Sequence, residues 1–522
     1  MTAPALRTAR ARRSAPGWSA ASGVVAGLVL VAVAELLSLA FASSSAPFVA
    51  VGGAFVDVVP PGVKDLVISL FGTSDKLVLF ASMIVVYAGI TALIGRLGDT
   101  RPRPSAALLG GLGVLAMVLV LTRAQNTAAD VLPTLVGTVV AVPTLLLLLR
   151  TVHGPAASDD AGTAWTRRRS LLGVGAVGLL AVIGVATARS LTASRELARR
   201  AAQYVLPAPR STVEPIPADA QVQLEGMPPF VTPNSEFYRI DTALSVPRVD
   251  PTSWQLRIHG LVDRELTVDF AQLLAEPMIE KHVTLACVSN PVGGDLAGNA
   301  TWLGVPVRTL LERAGIKDGA DMVLSRSIDG FTASTPLEAL TDSRDSLIAV
   351  GMNGEPLPAE HGYPVRMVVP GLYGYVSATK WLTELTVTRF ADDVAYWSTR
   401  GWSERGPIKI ASRVDVPRAR ADLTRQDDGA AMLGGTAWAQ QRGIAAVEVQ
   451  IDDGDWREAE LGAEVSEDTW VQWSLRWEDA SPGEHRITVR AIDGEGRLQT
   501  SQHANPAPDG ASGWHSVRCS VL

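Results

Sequence analysis

The 522-residue chain carries 46 basic and 53 acidic side chains, a formal charge of −7 that leaves no basic face for nucleic acid. Its length exceeds what one core organises, and its two cysteines allow at most one disulfide, which excludes a disulfide scaffold. The 47% hydrophobic content averages two unlike parts: long apolar runs fill residues 1–190, while 191–522 has the composition of a water-soluble protein.

Five apolar stretches near 18–42, 77–96, 105–122, 131–150 and 171–190 are about long enough, at roughly 20 residues, to span a bilayer. Arg7, Arg10, Arg12 and Arg13 precede the first, Arg96, Arg101 and Arg103 follow the second, and Arg150, Arg167, Arg168 and Arg169 separate the last two. The alternate loops hold only Lys64, Lys76 and Arg123. The positive-inside rule then puts the N-terminus in the cytoplasm and residues 191–522 on the extracytoplasmic side of the cell membrane. Residues 43–76, with VISLFG at 67–72, read equally as a re-entrant helix or a structured surface loop. Glu35, inside the first span, is a functional candidate by its position. No histidine falls in a span, so a haem held between two intramembrane histidines is excluded; any electron transfer there needs a separate haem or cytochrome partner. TRRRSLLGVGAVGLL (166–180) reads either as a cytoplasmic charge cluster or as a twin-arginine export signal.

Residues 191–229 form a linker, helical at first (194–206) and then interrupted by Pro207, Pro209, Pro215 and Pro217. Beyond it the pattern is mixed. WQLRIHG (254–260) alternates like a strand, and DFAQLLAE (269–276) opens with the Asp269/Gln272 capping-box spacing of a short helix. VPVRTLLERAG (305–315) is a helix closed by Gly315, and YPVRMVVPG (363–371) a strand ending in a turn. From about residue 406 the helical spacing stops: 445–461 and 484–496 alternate as strands around DDGD and DGEG turns, and several such strands predict a β-sandwich. Trp470, Trp473 and Trp477 belong to its core or an interface.

HVTLACVSN (282–290) leaves Cys287 at the end of an apolar strand. On the residues alone it is core packing, half of a bridge to Cys519, a nucleophile or a metal ligand. No Ser-His-Asp set, zinc cluster or phosphate loop offers a rival site, and the Gly-rich GAVG and GGLG lie in apolar spans where glycine serves helix packing.

TLACVSN (284–290), NGEPLPAEHGYPVRMVVPGLYG (353–374) and KWL (380–382), in that order, resemble the molybdopterin-binding domain of the sulfite oxidases, over about residues 230–400. GGTAWAQQRGIAAVEVQIDDGDWREAEL (434–461) is similar to the immunoglobulin-like domain that follows in that family and often pairs two copies. Fusion to membrane helices resembles the membrane-anchored actinobacterial relatives. The resemblance implies a helical transmembrane bundle (1–190), the linker, an α+β molybdopterin domain (230–405) and an immunoglobulin-like β-sandwich (406–522). It implies a molybdenum-molybdopterin cofactor with Cys287 as the protein's thiolate ligand; a soft thiolate suits a metal already bound by dithiolene sulfurs. It carries His361, Arg366, Ser377 and Lys380 over as anchors of the pterin phosphate side, where fixed cations and hydroxyls are needed. Asp329 in SIDGF and Phe237, Tyr238, Arg239 and Asp241 in EFYRID match further cofactor-contacting stretches.

Two departures bear on the substrate. Pro291 stands where the family has an arginine, and FYRIDTAL lacks the family's Arg-Asn-His. A sulfite dianion needs clustered cations to offset its desolvation, so the expected substrate is small and not sulfite, unless Arg239 or Arg308 moves in. The expected chemistry is oxygen-atom transfer at molybdenum, with one-electron steps returning the metal. The alternatives are an S-oxide or N-oxide reductase fed by a quinol-linked haem partner, and a non-catalytic envelope scaffold that keeps the fold.

Overall fold

The computed structural model describes residues 16–60, 63, 75–124, 126–153, 176 and 205–522. Two compact units emerge, one of residues 1–202 with 243–248, the other of 203–242 with 249–522.

The first unit is helical: α1 (Pro16–Ser38), α2 (Pro47–Val58), α3 (Asp75–Leu97), α4 (Pro102–Leu121) and α5 (Leu132–His153). Four segments, Gly17–Ser38, Leu77–Leu97, Pro102–Leu121 and Ala128–Val152, are long and apolar enough to cross a membrane. The fifth stretch, 171–190, the export-signal reading at 166–180, the apolar 67–72 and the start of the linker lie outside the described residues. Within 43–76 the described part holds α2, too short to span. α1 is the packing centre. A Cβ at Gly23 would collide with the Thr91 carbonyl of α3, and one at Gly137 of α5 would lie 2.5 Å from the Leu30 carbonyl. Small residues thus let the helix backbones meet. Ala26, Leu30, Ile94, Leu109, Ala141 and Leu145 fill the centre, and Val85, Leu93, Leu115 and Val139 face outward.

The second unit begins with β1 (Gln255–Gly260) and β2 (Leu266–Asp269), then α6 (Phe270–Ala275), β3 (Ile279–Ala286), β4 (Ala297–Pro306) and α7 (Val307–Ala314). β5 (Met322–Ser327), β6 (Thr332–Pro336), α8 (Glu338–Thr341), β7 (Leu347–Met352), β8 (Glu355–Pro356), β9 (Arg366–Val368) and β10 (Leu382–Thr388) follow. Asp269 caps α6 as its spacing predicts, accepting from the Gln272 N–H at 2.8 Å while Gln272 accepts from the Asp269 N–H at 3.0 Å. α7 starts two residues later than predicted because β4 runs through Pro306. The predicted strand over 363–371 contracts to β9, between Pro364 and Pro370, neither of which has an N–H to give a ladder.

These strands make two sheets, ordered β2-β1-β10-β5-β6 and β3-β4-β7-β8, with β9 on β7. β3 is therefore an edge strand. Phe237, Val283, Leu285, Trp302, Ala349 and Val368 form the core beneath it.

The β-rich C-terminal region contributes β11 (Ala411–Val416), β12 (Asp422–Leu423), β13 (Ala431–Trp438), β14 (Ile444–Ile451) and β15 (Trp456–Glu458). β16 (Glu460–Leu461), β17 (Val471–Trp477), β18 (Gly483–Asp493) and β19 (His515–Val521) complete it. Its two sheets, β11-β13-β17-β16 and β12-β19-β18-β14-β15, share one core that includes Trp473, Trp477 and Cys519. Both cysteines are free and buried, so the bridge between Cys287 and Cys519 does not form.

β4 is bulged at Leu303/Gly304, where it meets β7. A Cβ at Gly304 would strike the Ile348 carbonyl, which the ladder holds in place. Gly304→Ala is therefore expected to cost about 1–3 kcal/mol, read as a lowered melting midpoint, and an unchanged midpoint would refute this account of the bulge.

Candidate functional site

Cys287 is the first residue past β3, and its own loop fixes it. Its N–H donates to the Leu296 carbonyl at 2.9 Å and its carbonyl accepts from the Asn290 N–H at 3.1 Å. Asn290 Oδ1 in turn accepts from the Leu296 N–H at 3.0 Å, so residues 287–296 close on themselves. Gly293 in this loop has φ +76° and lies directly against the His515 ring, a position where a side chain has neither the backbone region nor the room. Burial pushes the Cys287 thiol up, while hydrogen bonding from Ser289 and the charge of Lys380 pull the other way.

Around it the fold gathers most of the residues named from sequence. Phe237 sits at the centre of an aromatic cluster, 5.3 Å from Tyr238, 5.8 Å from Trp302 and 5.6 Å from His361 between ring centroids. Burial also raises the Tyr238 phenol, with Cys287 adding to the effect and Arg366 opposing it. His361 ends a 3-10 turn, and its Nε2 donates to the Asn234 carbonyl at 2.9 Å. Burial and the neighbouring Arg366 charge bring this imidazole down to about 4, so it is neutral at pH 7.

Arg366 opens β9 and is buried. Its Nη1 donates to the His361 carbonyl at 3.1 Å and its Nε to the Met367 carbonyl at 3.3 Å, and the guanidinium lies 4.9 Å from the Trp302 ring centre. Among the described residues no carboxylate forms an ion pair with it. Burial lowers its pKa to about 10, which still leaves it charged. Lys380 Nζ donates to Asp241 Oδ2 at 2.8 Å and to the Glu360 carbonyl at 3.2 Å; burial brings it down to about 8 against the pull of Asp241. The same Asp241 oxygen accepts from Arg239 Nε at 2.9 Å. Gly362, at φ +113°, lets the Arg366 and Lys380 segments approach: a Cβ there would lie 3.0 Å from Arg366 Cβ and 3.2 Å from Lys380 Cα. Lys380 and Arg239 thus share the Asp241 carboxylate while Arg366 has no carboxylate partner among the described residues, a surplus of positive charge suited to an anionic group.

Two named residues stand apart. Ser377 is buried, but its hydroxyl donates to the Tyr373 carbonyl at 2.9 Å and braces its own loop. Asp329 closes the β5–β6 turn by accepting from the Phe331 N–H at 3.1 Å, and its other oxygen accepts from the Thr242 hydroxyl at 3.5 Å. The arginines considered as substitutes for the missing cations are engaged elsewhere: Arg239 with Asp241, and Arg308 with Asp345 at 2.6 Å.

Sequence reasoning missed Trp302, on whose face Arg366 rests, and the C-terminal residues that touch β3 and the Cys287 loop. Trp302 is visible in NATWLG, but nothing local marks it as the partner of an arginine 64 residues away. Among the described residues no three His, Cys, Asp or Glu side chains converge on an ion. Any metal held by Cys287 would need its other ligands from a bound group, and a buried thiol close to Lys380 and Arg366 suits a soft metal carried on an anionic organic ligand.

Comparison with known proteins agrees with these features. A family model described as the oxidoreductase molybdopterin binding domain matches residues 243–397. The chain is 36% identical to the uncharacterized oxidoreductase YuiH of Bacillus subtilis over 157 residues, which cover 30% of this chain and 76% of that protein. It is 30% identical to the sulfite oxidase of Gallus gallus over 315 residues, 52% of this chain and 68% of that one. The sulfane dehydrogenase SoxCD of Paracoccus pantotrophus aligns with a TM-score of 0.48 at 24% identity, covering 56% of this chain and 81% of that one.

The acid behaviour of His361 follows from its burial. Its folded value of about 4 lies below the ordinary 6.5, so the unfolded chain takes up the proton first. Stability is full above pH 6.5 and falls as the pH drops towards 4, by on the order of 2–3 kcal/mol from this residue. His361→Gln keeps a donor for the Asn234 carbonyl and is expected to flatten that loss in melting curves at pH 7 and 5; an unchanged acid slope would count against it.

Proposed function

Because this chain belongs to the sulfite oxidase-like molybdopterin oxidoreductases, we propose that it is a membrane-anchored member with Cys287 as the molybdenum ligand and a small substrate other than sulfite. It is an oxidoreductase enzyme, and its cofactor is molybdenum-molybdopterin. The observation that carries the site assignment is the buried Arg366 guanidinium, which has no carboxylate partner among the described residues and lies close to His361 and Lys380, the latter close enough to bear on the Cys287 thiol.

When bound, the cofactor supplies oxygen-atom transfer and the associated electrons. Arg366 and Lys380 bind the phosphate end, Arg366 as a fork and Lys380 as a point charge that Asp241 keeps aimed. His361, neutral, has its Nε2 proton committed to Asn234 and serves orientation rather than proton transfer. Ser377 fixes the loop before Lys380, and Asp329 fixes the segment around Asp241 through Thr242. Phe237 and Tyr238 form the apolar wall that excludes water, and Arg239 holds Asp241 from the solvent side.

Pro291 and the engagement of Arg239 and Arg308 support a substrate less charged than sulfite. The same observation favours a second reading, reduction of a neutral S-oxide or N-oxide by electrons from a haem-carrying partner. The arginine distribution supports an extracytoplasmic catalytic part, which needs 171–190 as a fifth span. The domain scheme 1–190, 191–229, 230–405 and 406–522 goes with this reading. Two sheets on a shared core support an immunoglobulin-like C-terminal domain, and the family resemblance implies that two copies associate through it.

The test is elemental and spectroscopic analysis of the full chain from a host that makes the cofactor. One molybdenum per chain is expected, with its sulfur-ligand signature altered in Cys287→Ser. Arg366→Gln should weaken cofactor retention by about tenfold or more, since a charge-assisted contact to phosphate is lost. Folded protein without molybdenum or pterin would refute the proposal.

A further inference from the structure

The C-terminal β-rich region touches the Cys287 segment on both sides. On the strand side the contacts converge on Thr284. β3 is an edge strand, and its outer edge is paired in two stretches. Near its start, the Glu280 N–H donates to the Ser211 carbonyl at 2.9 Å. Near its end, the Thr284 N–H donates to the Asp468 carbonyl at 2.9 Å, and Gln440 Nε2 donates to the Thr284 carbonyl. The Thr284 hydroxyl accepts from the Trp470 N–H at 2.8 Å and donates to Asn299 Oδ1 on β4 at 3.1 Å. All three hydrogen-bonding groups of Thr284 are therefore engaged, three residues before the thiol. Gln440 also donates to the Asp468 carbonyl at 3.0 Å, and Lys281 pairs with the Asp468 carboxylate at 2.9 Å. On the loop side, Arg413 Nη1 donates to the Gly294 carbonyl at 2.8 Å and the His515 ring packs on Gly293.

We propose that Thr284 and Gln440 are positioning residues for the Cys287 thiolate, through which the C-terminal region sets where that sulfur meets the metal. An edge strand left open frays at its end, and Cys287 lies at that end. With Thr284 clamped between β4 and residues 440, 468 and 470, the thiol is held before the cofactor arrives. This rests on Cys287 being the ligand, but the clamp itself can be measured without metal.

The experiment is alkylation of the full chain made in a host lacking the cofactor, with the two cysteines resolved by peptide mass spectrometry. Cys519, in the C-terminal core, reports global opening in the same sample. Thr284→Val keeps the β-branched shape and removes the hydroxyl; Thr284→Ser restores it. Gln440→Met removes the donor at similar volume, together with an Oε1 that is buried without a partner, so it is well placed to fold if the valine variant does not. Thr284→Val and Gln440→Met should each speed Cys287 labelling by about tenfold with Cys519 unchanged, and Thr284→Ser should label like the parent. In molybdenum-loaded protein the same two variants should shift the sulfur-to-metal absorption. Wild-type labelling rates in the folded variants overturn the proposal, as does equal acceleration at Cys519. If Cys287→Ser leaves the metal's sulfur signature intact, the ligand assignment fails, whatever the labelling gives.

Discussion

Burying a guanidinium costs several kilocalories per mole unless polar or negative groups meet it, and Arg366 is met by two carbonyls and the face of an indole. Much of the site's architecture answers that cost. β9 is short, and the guanidinium is met by the Met367 carbonyl of β9 itself and by the His361 carbonyl at the end of the preceding 3-10 turn. Trp302 lies on β4 beneath it, held by its own indole N–H donating to the Val283 carbonyl at 3.2 Å. His361 stays neutral because burial, and after it the Arg366 charge, disfavours an imidazolium there. Burial pulls Lys380, the next charge, down to about 8, and Asp241 opposes that fall.

The chemistry-bearing stretches were legible because their signals are local. TLACVSN put a cysteine at a strand end, the Asp269/Gln272 spacing announced a cap, and the Gly, His, Pro and Arg positions of 353–374 travel together. The resemblance to sulfite oxidases that these motifs carried agrees with the family to which the chain belongs. The strand over 363–371 was overdrawn because its apolar residues hid the effect of two prolines. Arg239 and Arg308 stayed open as substrate cations because the carboxylates that engage them, Asp241 and Asp345, carry no mark of that pairing in the sequence. Long-range closure of β3 was not legible at all: Gln440 and Thr284 are 156 residues apart, and a buried glutamine in an ordinary strand-rich region has no periodic signature.

The helical unit follows a different rule. Among its described helices, glycines on α1, α3 and α5 mark where backbones meet, and leucines and valines mark where they do not. In the second unit the glycines that matter answer to side chains instead, to a histidine ring at Gly293 and to an arginine and a lysine at Gly362. The same residue type reports membrane-style packing in one unit and site geometry in the other.

The closed edge of β3 also has a consequence in time. The ribosome makes HVTLACV well before it makes the segment that covers it, since Asp468 follows by roughly 180 residues. At ordinary synthesis rates of about 5–20 residues per second, that edge waits roughly 10–40 s for its cover. A nascent chain at this stage presents an apolar strand with unpaired backbone groups, the form most prone to pairing with a neighbour. The distance along the chain between a strand and its cover is thus itself a physical property of this protein, fixed by the order of its residues rather than by any contact in the finished fold.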